Sequence, residues 1–154
     1  MLYVDYDVDY TLIILDLAQS RGITWGFAQT VDNALSQISQ YESIVFHFDT
    51  SCSDKLKQRY FERMGWLTVF QQPRFRDRNG NLNPNTIPGG AVLMTHLHCE
   101  NYQGTKIMIT GIPDSDVRPF QEDGLVDHII FKPFMFEEIE NLIIREGQMK
   151  NGRT

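Results

Sequence analysis

Apolar residues along this chain fall in short continuous runs separated by amphipathic stretches, the pattern of buried parallel strands alternating with helices. Leu2–Val4 is too short for a helix and predicts a first strand. Asp9 is placed to cap a helix over Tyr10–Ser20, where Leu12, Ile13, Leu15 and Leu17 recur at helical spacing and Gly22 closes the turn. Ile23–Ala28, β-branched and aromatic, predicts a second strand, and Thr30 caps a helix through Gln40. Ser43–Phe48 is nearly all apolar, as a strand covered on both sides requires. The alternation resumes late in the chain with a helix over Ala91–Tyr102, a strand over Lys106–Thr110 and a helix over Ser115–Asp123. A strand over Ile129–Lys132 and a helix over Phe136–Glu146 complete it. Each crossover is long enough for parallel pairing, so the expected architecture is a doubly wound, five-stranded parallel sheet. One domain spans residues 1–146, and the polar tail 147–154 is expected to fray.

An insertion interrupts this order between Asp49 and Gly90. Ser53 or Asp54 caps a predicted helix over Lys55–Met64 that Gly65 ends. Trp66–Gln71 then reads as a strand, and Arg74–Arg78 with its return after Asn79-Gly80 as a hairpin. The segment holds half of the chain's 14 basic residues: Lys55, Lys57, Arg59, Arg63, Arg74, Arg76 and Arg78. Tyr60, Phe61, Trp66, Phe70 and Phe75 lie among them. Two readings stand: a solvated face over a small satellite core, or a docking surface for an acidic partner or a second copy.

Composition narrows the class. Charged residues make up 22% and hydrophobic residues 42% of 154, ordinary for a chain with a real core. The net charge of −6 disfavours nucleic acid as a general partner. No apolar run reaches membrane-spanning length and Met1-Leu2-Tyr3 opens directly on a strand, so a cytoplasmic protein is expected. Cys52 and Cys99 are too few for a disulfide framework. His96, His98 and Cys99 lack the face-sharing spacing and second pair of a metal site, and His47, inside an apolar strand, reads as a hydrogen-bonded core residue.

Ligands of a parallel sheet bind beyond the strand ends, so the residues there carry the candidate chemistry. Those residues are Asp5 and Asp49 from early strands, and Thr110 and Lys132 from late ones. Two carboxylates, a hydroxyl and an ammonium on one rim suit a phosphoryl group or a divalent cation. Together with Ala34-Leu35, Thr110-Gly111, Lys132-Pro133-Phe134 and Glu137-Glu138, this pattern resembles the receiver domain of two-component response regulators. The intervals Asp5–Asp49 and Thr110–Lys132 fit that family's spacing, and the likeness covers about residues 1–50 and 89–146. The resemblance implies a flavodoxin-like receiver fold with Asp49 as phosphoacceptor, Thr110 and Lys132 holding the phosphoryl group, and a cis bond before Pro133. It further implies a Mg²⁺ pocket built from Asp5 and Asp49, in which Asp7, one residue past the usual second acid, is the candidate substitute ligand, together with a sensor histidine kinase or phosphotransfer protein upstream and signalling by protein contact rather than turnover.

The chain departs from that pattern in three places. Tyr6 stands where a second acid is usual, Ile129 replaces an aromatic three residues before the lysine, and residues 50–88 are extra. A phosphorylation-independent pseudo-receiver is therefore the alternative reading. A third is a PIN- or NYN-like metal nuclease using Asp5, Asp49, Asp114 and Asp116, which leaves Lys132-Pro133-Phe134 without a role.

Overall fold

The structure, a computed structural model, describes residues 1–151. Strand β1 (Leu2–Val4) leads to helix α1 (Val8–Ser20), β2 (Gly26–Ala28), α2 (Val31–Leu35) and β3 (Ser43–His47). After the insertion, which contains α3 (Asp54–Trp66), come α4 (Gly89–Cys99), β4 (Thr105–Thr110), α5 (Asp114–Glu122), β5 (His128–Phe131) and α6 (Phe136–Asn151). All pairings are parallel and the strand order is β2-β1-β3-β4-β5. The expected doubly wound sheet is what forms. Helix α6 continues past Glu146 to Asn151; of the tail expected to fray, residues 152–154 lie outside the described residues.

Period two divides the strands between two cores. Tyr3, Val45, Ile107, Ile109 and Ile130 pack under α1 and α6 through Ile14, Leu15, Ala18, Phe136 and Ile139. Leu2, Val4, Ile44, Phe46 and Met108 pack on the other face, under α2 to α5. The ends of the elements follow local chemistry, with one change from expectation. Asp7, not Asp9, caps α1: its Oδ1 accepts from the Tyr10 amide at 3.0 Å, and the helix starts two residues early. Thr30 and Ser53 cap α2 and α3 as expected.

Two expectations for the insertion do not hold. Thr68–Gln71 is a turn of 3₁₀ helix rather than part of a strand, because adjacent Val69 and Phe70 are both buried on one side and strand geometry would oppose them. The hairpin shrinks to another 3₁₀ turn at Pro73–Phe75 and a single antiparallel bridge, Arg76 to Leu82. Nor is its core a satellite. Phe70 and Phe75 are 5.3 Å apart between ring centroids, and both meet Phe120 of α5, at 5.7 and 6.3 Å. Phe120 also meets Phe48 at 5.5 Å, so the insertion is continuous with the main core.

The start of α4 locks the end of β3. The Gly90 amide donates to Phe48 O at 2.9 Å, and a Cβ on Gly90 would lie 2.5 Å from that oxygen. Only glycine permits this backbone approach.

Candidate functional site

Beyond the ends of β1, β3 and β5 opens a cavity of about 310 Å³, lined by Asp5, Tyr6, Asp7, Tyr10, His47, Lys132, Pro133 and Phe134. The register explains its floor. Val4 pairs with Phe46, so the next residues along, Asp5 and His47, come side by side on the face that carries Tyr3 and Val45. The Tyr3 hydroxyl is hydrogen-bonded to His47 Nε2 at 2.7 Å, and Asp5 Oδ2 lies 3.3 Å from the same nitrogen. Asp5 Oδ1 accepts from the Asp7 amide at 3.2 Å. Tyr3, Asp5 and His47 are all buried. The rings of Tyr10 and Phe134 close over the imidazole edge-on or tilted, with centroids 6.5 and 6.4 Å from it.

Burial dominates the electrostatics. It pulls the His47 imidazole down to about 4, with the Lys132 ammonium adding to the effect and Asp49 and Asp7 opposing it. The same burial pushes the Asp5 carboxyl up, against the Asp7 amide and Lys132. Tyr3 is raised well above the ordinary phenol range, by burial first and by Asp5 second. At neutral pH the floor thus holds a neutral imidazole whose Nε2 is hydrogen-bonded to the Tyr3 phenol, with the Asp5 carboxyl beside it.

The predicted site residues divide. Asp5, Asp7 and Lys132 are brought to one cavity, and the Lys132-Pro133 bond is cis. Asp49 and Thr110 do not line it. Strand β3 ends at His47, and residues 47–50 form a tight turn in which Thr50 donates to His47 O from both its amide (3.1 Å) and its hydroxyl (2.6 Å). Asp49 therefore stands exposed on that turn, two residues past the strand end. Thr110 is buried, shares the parity of Met108 rather than of Ile109, and its Oγ1 accepts from the Ile112 amide at 3.1 Å. The acids of the nuclease reading do not join Asp5 either. Asp114 pairs with Arg118, and Asp116 lies 3.6 Å from Arg74.

The residue that sequence reasoning passed over is His47. As expected it is a hydrogen-bonded buried residue, but it also occupies the site's centre. Its parity with Val45, matched by that of Asp5 with Tyr3, is the signal in the sequence that joins the two.

A Mg²⁺ ion does not suit this donor set. Magnesium requires near-octahedral oxygen ligands. Here the Asp5 carboxylate is engaged by the Asp7 amide and His47, the Asp7 carboxylate caps α1, and Asp49 is outside. Asp5 and Asp7 are the two carboxylates of the lining, and its other polar side chains are the phenols of Tyr6 and Tyr10, the His47 imidazole and the Lys132 ammonium, too few anionic oxygens for that geometry. Among the described residues no three His, Cys, Asp or Glu side chains form a metal-ligand group.

No family model matches the chain, and no curated protein is detectably similar to it. Solved structures are. A CheY-like response-regulator receiver domain protein from Methanospirillum hungatei is 16% identical, with a TM-score of 0.68 over 99% of this chain and 96% of its own. The receiver domain of Francisella response regulator 1452 is 18% identical, with a TM-score of 0.64 over 99% and 97%. The response regulator TrrA of Thermotoga maritima, solved in complex with Mg²⁺ and BeF, is 13% identical, with a TM-score of 0.61 over 94% and 95%. At these identities the likeness is one of fold.

Proposed function

We propose that this receiver-fold chain is a signalling module that acts by protein contact, without phosphorylation of its sheet rim and without turnover chemistry of its own. The observation that carries the reading is the floor of the cavity. Transfer of a phosphoryl group to a carboxylate needs an accessible acid flanked by a divalent cation and a fixed positive charge. At the end of β3, on the cavity face, the side chain is a buried imidazole bound to Tyr3 and Asp5. The exposed Lys132 shares the cavity with Asp5, which is buried and accepts from the Asp7 amide, and with Asp7, which caps α1, while Asp49 stands on the turn beyond it.

The competing reading makes Asp49 a phosphoacceptor served by a histidine kinase or phosphotransfer protein. Its support is the exposure of Asp49, together with its electrostatic reach to Asp5 and His47. Intact-mass measurement after incubation with Mg²⁺ and acetyl phosphate separates the two. The proposal expects no adduct. One added phosphoryl group that disappears in Asp49→Asn would overturn it and establish the phosphoacceptor.

A further inference from the structure

We infer that this chain self-associates head to tail, helix α1 of one copy docking on helix α3 of the next. The inference names the partner for the contact-module reading and rests on it. Helix α3 carries Lys55, Arg59 and Arg63 at intervals of four, all exposed, which places them along one side. Trp66 continues that row at its end and is 80% exposed, the most exposed large hydrophobic side chain among the described residues. None of the three cations is in an ion pair among the described residues; Arg63 reaches the Cys99 thiol and Arg59 lies over the Tyr60 ring. A basic row ending in an uncovered indole is the composition that concentrates binding energy at protein contacts.

The complementary surface is on the same chain. Helix α1 contains no lysine or arginine, and its outer side exposes Leu12 and Ile13 at 58% each between the acids Asp9 and Asp16. Charge decides how the faces pair. Two α1 faces meeting each other would oppose like acids, and two α3 faces would oppose like bases, each a net repulsion. Setting α1 on α3 satisfies both and covers Leu12, Ile13 and Trp66 together. The two helices lie on opposite sides of the sheet, so a copy cannot return the same contact to its partner. Such a contact is heterologous and propagates into chains or closes into a ring.

The test is sedimentation velocity of the full chain at low ionic strength, with no phosphodonor present. Phosphorylation stays with the mass measurement, so failure of self-association and failure of the contact-module reading are told apart. The wild type is expected to show concentration-dependent species larger than a dimer, with apparent affinity falling about tenfold or more in high salt as the pairs are screened. Lys55→Glu/Arg59→Glu and Leu12→Lys/Asp16→Lys change exposed positions, and circular dichroism checks that both fold. Each alone is expected to stay monomeric. Mixed, each retains the face the other has lost, and the reversed charges on the altered faces are again opposite, so association is expected to return. A wild type that stays monomeric overturns the inference, as does a closed dimer unaffected by either variant, or a mixture that fails to pair. Binding of an RNA or DNA oligonucleotide that Lys55→Glu/Arg59→Glu abolishes, without self-association, would assign the row to nucleic acid instead and overturn it equally.

Discussion

His47 Nε2 sits 3.3 Å from Asp5 Oδ2, joining the ends of two neighbouring parallel strands through side chains that are both buried. The same nitrogen is hydrogen-bonded to the Tyr3 hydroxyl, so the imidazole gives a buried phenol the partner that the sheet would otherwise deny it. The centre of the rim is thereby spent on internal hydrogen bonding.

This arrangement makes stability depend on pH. The folded protein holds His47 at about 4, below the ordinary 6.5, so the unfolded chain binds the proton more readily. Stability from this group is complete above about pH 6.5 and declines as pH falls toward 4, by about 2 kcal/mol at pH 5. Asp5, shifted upward, works in the opposite direction at lower pH. Denaturant unfolding at pH 7.5 and 5 should show the loss in wild type and a much flatter response in His47→Gln.

Tyr3→Phe removes the hydroxyl and leaves the imidazole a partner short. The expected cost is about 1–2 kcal/mol at pH 7.5. In a His47→Phe background the same change should cost far less, and a double-mutant cycle from urea melts measures the difference. Additive costs would mean that the 2.7 Å contact contributes nothing.

Gly90→Ala forces a methyl group to within 2.5 Å of the Phe48 carbonyl oxygen. Backbone has to move, and a loss of about 3 kcal/mol is expected. The same change at Gly65, where a Cβ meets nothing within 4 Å, is expected to be neutral or slightly stabilising. Paired thermal melts decide between a packing requirement and a general effect of losing glycine.

The insertion is a structural part of the domain. Phe75→Ala should destabilise the whole protein by about 3–5 kcal/mol in a single cooperative transition, because its ring meets Phe70 and Phe120. Trp66→Ala, on the same insertion but exposed, should change stability by less than about 0.5 kcal/mol. A separate early transition in Phe75→Ala would show that the insertion melts alone.

The amino-acid sequence by itself determined the sheet. Runs such as Ile44-Val45-Phe46 are apolar at every position, and only a strand covered on both faces hides such a run. Cap residues Thr30 and Ser53 carry their role in local chemistry, and the Lys132-Pro133-Phe134 run marked the final strand end. Local signals of this kind survive without knowledge of the neighbours. The insertion was less legible, because Phe70 packs on Phe120, a residue distant in the chain, and no local period records that.

What tertiary structure alone decided was which strand-end residue enters the site. Counting from Asp5 brings Asp49 to the expected interval, yet counting assumes that β3 continues to its end in step with β1. The glycine-mediated contact of α4 with Phe48 and the Thr50 turn end the strand at His47, and side-chain parity then hands the cavity to the imidazole. A sequence interval fixes how far along the chain a residue lies. Which way its side chain faces depends on where the hydrogen-bonded ladder stops, and that is set by packing from elements far away in sequence.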